Sequence, residues 1–270
     1  MKGRVLIIAG SDSGGGAGIQ ADIKTVTALD AYAATALTAL TAQNTMGVHA
    51  VHLVPLDFIA HQIEAVMTDI GADVVKTGML GDSAIIDTVC EALERYAPGV
   101  PVVVDPVMVA KGGQALLAAE AVDSLRRRLL PMAAVITPNL PEAEALSGMT
   151  IATVADMRVA ATALLALGVP AVLLKGGHLP GDELVDLLAT ADGIEAFSAL
   201  RIPTRHTHGT GCTTASAVAA GLAQGLSLRD AVVRARSYVR AAIAAAPGYG
   251  AGHGPLNHAV TVDVGRLAEG

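Results

Sequence analysis

Six short runs of mostly apolar residues, many of them β-branched, alternate along the chain with longer stretches of helical periodicity. They are Val5 to Ala9, Ala34 to Ala42, Val74 to Thr77, Val102 to Asp105, Ala134 to Thr137 and Ala171 to Lys175. Strands that are apolar throughout need cover on both faces, and parallel neighbours need helical crossovers. The alternation therefore predicts βαβ units around a mostly parallel sheet. Helical patterns fall at Ala17 to Leu29, Phe58 to Thr68, Ser83 to Tyr96, Ala119 to Leu130, Pro141 to Ser147, Val154 to Leu167, Thr213 to Gln224 and Leu228 to Ala246. Two segments break the rhythm. Val48 to Val54 reads as an extra strand near an edge, and Leu184 to Leu200 as an antiparallel pair turning at Asp192-Gly193. No repeat or linker divides the chain, so 1–270 reads as a single α/β domain, with a loop at 248–255.

Charge and cysteine content narrow the function. Eighteen Lys and Arg against 25 Asp and Glu, a net charge of -7, argue against a nucleic-acid partner and for small-molecule chemistry. Cys90 and Cys212 are the only cysteines, too few for a disulfide framework or a four-cysteine zinc site, and point to a cytoplasmic setting. The apolar run after Met1-Lys2-Gly3-Arg4 is too short for a signal peptide, and no run approaches the roughly 20 residues that span a bilayer. No membrane association is expected.

In an open parallel sheet, ligands bind beyond the carboxyl ends of the strands. After the first strand comes Gly10-Ser11-Asp12-Ser13-Gly14-Gly15-Gly16-Ala17-Gly18, which fits neither the P-loop nor the dinucleotide fingerprint, so an oxidoreductase is disfavoured. Its glycines suit close approach to a flat ligand, with Asp22, Gln43 and Asn44 supplying hydrogen bonds; the plain alternative is a turn into a capped helix. Later strands end in Asp105-Pro106-Val107, Thr137-Pro138-Asn139-Leu140-Pro141-Glu142 and Lys175-Gly176-Gly177-His178. Asp105, Asn139 and Glu142 together suit Mg²⁺, and Lys175 a phosphate.

The segment His206-Thr207-His208-Gly209-Thr210-Gly211-Cys212-Thr213-Thr214 joins a glycine turn to a helical run. There the N–H groups of Gly211, Cys212 and Thr213 converge where the helix dipole favours an anion. The plain reading is a loop with Thr210 as N-cap and Cys212 as a small buried residue. Zinc on His206, His208 and Cys212 is disfavoured because it would block that anion site. Cys90 reads as helix core.

Seven motifs in order, at 9–22, 41–45, 76–80, 105–111, 137–142, 175–178 and 208–212, make the chain resemble the hydroxymethylpyrimidine/phosphomethylpyrimidine kinases of the ribokinase-like superfamily. The resemblance implies a three-layer α/β/α fold, usually a homodimer. It also implies transfer of the γ-phosphoryl of MgATP to a hydroxymethyl aminopyrimidine and then to its monophosphate. By the same resemblance Gln43 and Asp22 recognise the aminopyrimidine, and Gly10, Met79 and Val107 line the ring pocket. Lys175 contacts ATP phosphates, and Gly209, Thr210, Gly211 and Cys212 form the anion hole. Asn139 serves phosphate and, with Glu142, the metal, and Cys212 takes the base position. A helix N-terminus is expected to lower its thiol pKa. Two alternatives stand beside this: a pyridoxal or dual-specificity kinase, and a nucleotide or pyrimidine sensor without turnover. Gly112 and Gly113 suggest a flap over the site.

Overall fold

The computed structural model describes residues 1–109, 116–117 and 120–267; Gly112 and Gly113, the expected flap, lie outside the described residues. Among the described residues, one sheet holds β1 (Arg4–Asp12), β2 (Tyr32–Asn44), β3 (Gly47–Leu53), β4 (Val74–Thr77), β5 (Val102–Val104), β6 (Ala133–Ile136), β7 (Ala171–Leu174), β8 (Glu183–Thr190) and β9 (Gly193–Leu200). Their order is β3-β2-β1-β4-β5-β6-β7-β8-β9. Neighbours from β2 to β7 pair in parallel, while β3, β8 and β9 are antiparallel. The edge strand and the hairpin read from the sequence are therefore both present.

The helices are α1 (Gly18–Ala28), α2 (Leu56–Asp69), α3 (Ser83–Tyr96), α4 (Ala121–Ser124), α5 (Leu140–Ser147), α6 (Val154–Leu165), α7 (Thr210–Ala223) and α8 (Leu228–Ala244). Period-two alternation splits the strands between two cores. Leu6 and Ile8 of β1 join Ile63, Ile85, Leu146 and Met157 on the face covered by α2, α3, α5 and α6. Val5, Ile7 and Ala9 join Ile19, Ala217 and Val232 on the face covered by α1, α7 and α8. The result is three layers. Alanine in α7 allows close approach, and Gly221 is required there: a Cβ would lie 2.6 Å from that of Ala231 on α8.

The pattern predicted over Ala119 to Leu130 is interrupted. After the short α4 the chain widens into a π-turn at Leu125–Leu129 and tightens into a 3₁₀ turn at Leu130–Met132. Pro131, which cannot donate to a preceding turn, sits in that last piece. Among the described residues no helix is long and apolar enough to cross a membrane.

Candidate active site

The residues singled out by sequence gather beyond the carboxyl ends of β1, β2, β5, β6 and β7. At the end of β1, the ladder to β2 shifts between Ala9 and Ser11, so Gly10 sits at an irregularity, where a Cβ would lie 3.0 Å from Met79 Sδ. The glycine-rich loop then wraps around Asp12. Its Oδ1 accepts the Gly14 N–H at 2.8 Å, and its Oδ2 accepts those of Gly16 and Ala17 at 3.1 and 2.8 Å. His208 Nε2 lies 2.8 Å from the same Oδ2. Burial alone would raise the Asp12 carboxyl, but His208 and the N–H groups of Ala17 and Gly14 hold it below the usual carboxylate range. The Gln43 amide is 3.3 Å from His208 Nε2, which ties the end of β2 to the same cluster. Asn44 does not join it, because its Oδ1 accepts the Met46 N–H across the β2–β3 turn. Val107 lines a small cavity with Gly78, Leu80 and Leu117.

Gly209 is the N-cap of α7, with φ +84°. A Cβ there would meet Gly16 O at 1.8 Å, so only glycine lets the two loops touch. The helix starts at Thr210, earlier than its apolar pattern indicated. Two expectations change as a result. Gly209, not Thr210, is the N-cap, and the Thr213 N–H donates to Gly209 O at 2.9 Å and is lost to an anion. Thr210 faces back, its Oγ1 donating to Thr207 O. Gly211 and Cys212 supply the remaining N–H groups. A Cβ on Gly211 would lie 3.3 Å from Lys175 Nζ and 3.8 Å from Asp105 Oδ2, so ammonium and carboxylate border the helix entrance. Lys175 donates to Asp105 Oδ1 at 3.2 Å, as does the Thr137 hydroxyl. Burial opposes its charge, yet Asp105 and Glu142 keep the ammonium above the ordinary lysine range.

Asn139 and Glu142 form a capping box at α5. Asn139 Oδ1 accepts the Glu142 N–H at 3.0 Å and Glu142 Oε2 accepts the Asn139 N–H at 2.8 Å. Asn139 Oδ1 is thus engaged at the start of its helix, while its side chain stays partly exposed. Glu142 Oε1 takes no hydrogen bond among the described residues. Burial pushes its carboxyl up to about 7, with Lys175 opposing and the Asp105 charge adding to the rise. Two carboxylates that repel one another suit Mg²⁺, which needs only one or two beside substrate phosphates. Among the described residues no group of three or more His, Cys, Asp or Glu gathers to hold a metal.

Asp22 also departs from expectation. It is completely buried; Oδ2 accepts from Lys76 Nζ at 2.8 Å and Oδ1 from Ser216 Oγ at 2.7 Å, so it does not face a ring pocket. Burial opposes the charge of Lys76, but Asp22 and its neighbours hold that ammonium above the usual range. Cys212 lies one turn before Ser216, at the entrance of α7. Burial pushes its thiol up to about 12 against the pull of Lys76, the direction opposite to the lowering expected at a helix N-terminus. Asp12, His208, Lys76 and Ser216 were not assigned roles from sequence. One signal was available: a lysine inside the apolar strand Val74-Val75-Lys76-Thr77 has to find a buried partner.

With this geometry in place, a family model described as phosphomethylpyrimidine kinase matches residues 12–257. The chain belongs to the phosphomethylpyrimidine kinase family. It is 53% identical over 262 residues to the thiamine biosynthesis bifunctional protein ThiED of Geobacter sulfurreducens, covering 97% of this chain and 53% of that protein. The chain thus spans about half the length of this relative. A hydroxymethylpyrimidine/phosphomethylpyrimidine kinase of Streptomyces coelicolor is 50% identical over 254 residues, with 94% of this chain and 93% of the relative covered. Among solved structures, an ADP complex of Bacillus subtilis pyridoxal kinase superposes with a TM-score of 0.90 at 40% identity, covering 97% of this chain and all of that one. The family's three-layer fold is the one described above.

Proposed function

We propose that this chain transfers the γ-phosphoryl of ATP to 4-amino-5-hydroxymethyl-2-methylpyrimidine and then to its monophosphate, a step of thiamine biosynthesis. The observation that carries the reading is the entrance of α7, where the free N–H groups of Gly211 and Cys212 stand beside the Lys175 ammonium. That is an anion site with a fixed counter-charge, and phosphoryl transfer depends chiefly on positioning and charge neutralisation. Names of relatives support the same substrate pair.

In this reading Gln43, Gly10 and Met79 hold the ring, Val107 borders it, and Cys212 meets the hydroxymethyl oxygen. A thiol near 12 positions that hydroxyl at rest, and a loose transition state asks little of a base. Lys175 holds the phosphates. Asp105 and Glu142 would hold magnesium, which supplies charge neutralisation when bound with the nucleotide.

The exposed apolar side chains Leu40, Met46, Val51, Leu53, Leu56 and Phe58 on β2, the β2–β3 turn, β3 and α2 support a homodimer through this edge. The two free thiols support a cytoplasmic setting. Pyridoxal is the second reading, favoured by the superposition on the pyridoxal kinase. ADP release with MgATP and each of the two pyrimidines and pyridoxal tests the assignment. Turnover on both pyrimidines with little on pyridoxal is expected; the reverse preference moves the chain to pyridoxal phosphorylation, and no turnover on any of the three overturns the kinase reading.

A further inference from the structure

A buried ion pair beneath the Cys212 thiol is a group of charges that the proposed reaction leaves unused. Lys76 on β4 and Asp22 on α1 are both fully buried, joined at 2.8 Å, and Ser216 on α7 closes the set by donating to the second Asp22 oxygen at 2.7 Å. Ser216 lies four residues after Cys212, so the two share one face of α7, and that face is turned to the pair. A Cβ at Gly78 would lie 3.0 Å from Lys76 Nζ, so the ammonium is hemmed in by backbone. Removing charges from water is expensive, and a buried pair that only held the fold would commonly be replaceable by apolar groups. Its place under the helix entrance suggests a different use.

We propose that the Ser216–Asp22–Lys76 triad sets the protonation state of Cys212. While the Lys76 ammonium is committed to Asp22, the thiol keeps its proton; when that pairing weakens, the ammonium becomes the counter-ion of a thiolate and the thiol proton passes to solvent. The charged groups facing Cys212 are Lys76 from β4, Asp22 from α1, Asp105 after β5 and Lys175 after β7, together with the Gly18 N–H. Lys76 pulls toward the thiolate and Asp22 opposes it, as the triad requires. Asp22 is thereby a positioning residue that acts on Cys212 through Lys76.

The inference rests on Cys212 being the reactive thiol of the proposed site, and it is read without turnover, so the two can fail separately. The measurement is the pH profile of iodoacetamide alkylation, followed at Cys212 by peptide mass spectrometry; Cys90 is fully buried with its thiol pushed up to about 11 and serves as an internal reference. In Asp22→Asn the freed ammonium should draw the profile acid-ward by at least about one unit, so that Cys212 alkylates about tenfold faster near neutral pH. The double variant Asp22→Asn/Lys76→Met should lose that acceleration. Should Asp22→Asn not fold, Ser216→Ala, which takes one hydrogen bond from the carboxylate and leaves it to Lys76 alone, is expected to move alkylation in the opposite direction, slowing it by about twofold or more. A profile unchanged in the folded single variant, or acceleration that survives the loss of Lys76, overturns the proposal.

Discussion

His258 offers a quantitative test of how the site is held from behind. It is 6% exposed, its Nε2 lies 2.9 Å from Thr213 Oγ1, and its carbonyl accepts the Tyr238 hydroxyl at 2.7 Å. Burial, with a smaller push from Lys24, lowers its imidazole from an ordinary 6.5 to about 4. The folded state therefore keeps the ring neutral where the unfolded chain protonates it. This contribution is fully present above pH 6.5 and is lost as the pH falls toward about 4. Binding linkage with those two values removes about 2 kcal/mol between about pH 7.5 and about pH 5. Glu142 tilts the other way: its carboxyl is raised from 4.5 to about 7, so its folded form holds a proton that the unfolded chain releases, and stability falls as pH rises through that window. An absolute stability profile therefore mixes opposite slopes. The difference between wild type and His258→Gln isolates the histidine, because Glu142 is common to both. Urea unfolding of the two metal-free proteins, followed by far-ultraviolet circular dichroism, should show the wild-type advantage shrinking by about 2 kcal/mol over that pH range. A difference that stays constant within about 0.5 kcal/mol would refute the neutral buried ring.

Gly209→Ala places a side chain 1.8 Å from Gly16 O at φ +84°, so kcat/KM for the pyrimidine should fall by at least about 100-fold, the scale of losing one preorganised donor; a near-normal value in steady-state assays removes that loop contact from the site. Lys175→Met should weaken ATP by about 10- to 100-fold in equilibrium titration, and unchanged nucleotide affinity would move the phosphates elsewhere. Cys212→Ser should retain ATP binding and lose most turnover; full activity would take Cys212 out of the mechanism. Phe58→Asp, at a residue 58% exposed on α2, should shift sedimentation from dimer to monomer without loss of secondary structure, and a monomeric wild type would dispose of the edge-to-edge dimer.

Strand periodicity was easy to read where both faces are buried. β4, Val74–Thr77, is entirely buried and fell where its apolar run placed it. Helix boundaries set by capping residues were also close, as at α3, where Asp82 accepts the Ile85 N–H. The stretch after Glu120 was harder, because Leu125, Leu129 and Leu130 keep a helical rhythm of burial while the backbone changes pitch ahead of Pro131. Side-chain pattern reports which face is apolar and does not report how the hydrogen bonds close.

The same distinction explains the site. Lys175, Asp105, Glu142, Gly209 and Cys212 were recognisable because each follows a strand or opens a helix, and chain order alone places those ends together. Partner choice was not recognisable. Asp22 and Lys76 are 54 residues apart, Asp12 and His208 are 196 apart, and each pair depends on side chains meeting across layers. Motif reading assigned Asp22 outward to a ligand, because a carboxylate near a glycine-rich loop is compatible with either direction. The deciding constraint is the buried lysine. An ammonium inside a strand sealed on both faces must be matched by an anion nearby, and Asp22 is the carboxylate that α1 brings within 2.8 Å. The lysine within β4 therefore directs Asp22 inward, and the pair they form lies beneath the helix that carries Cys212.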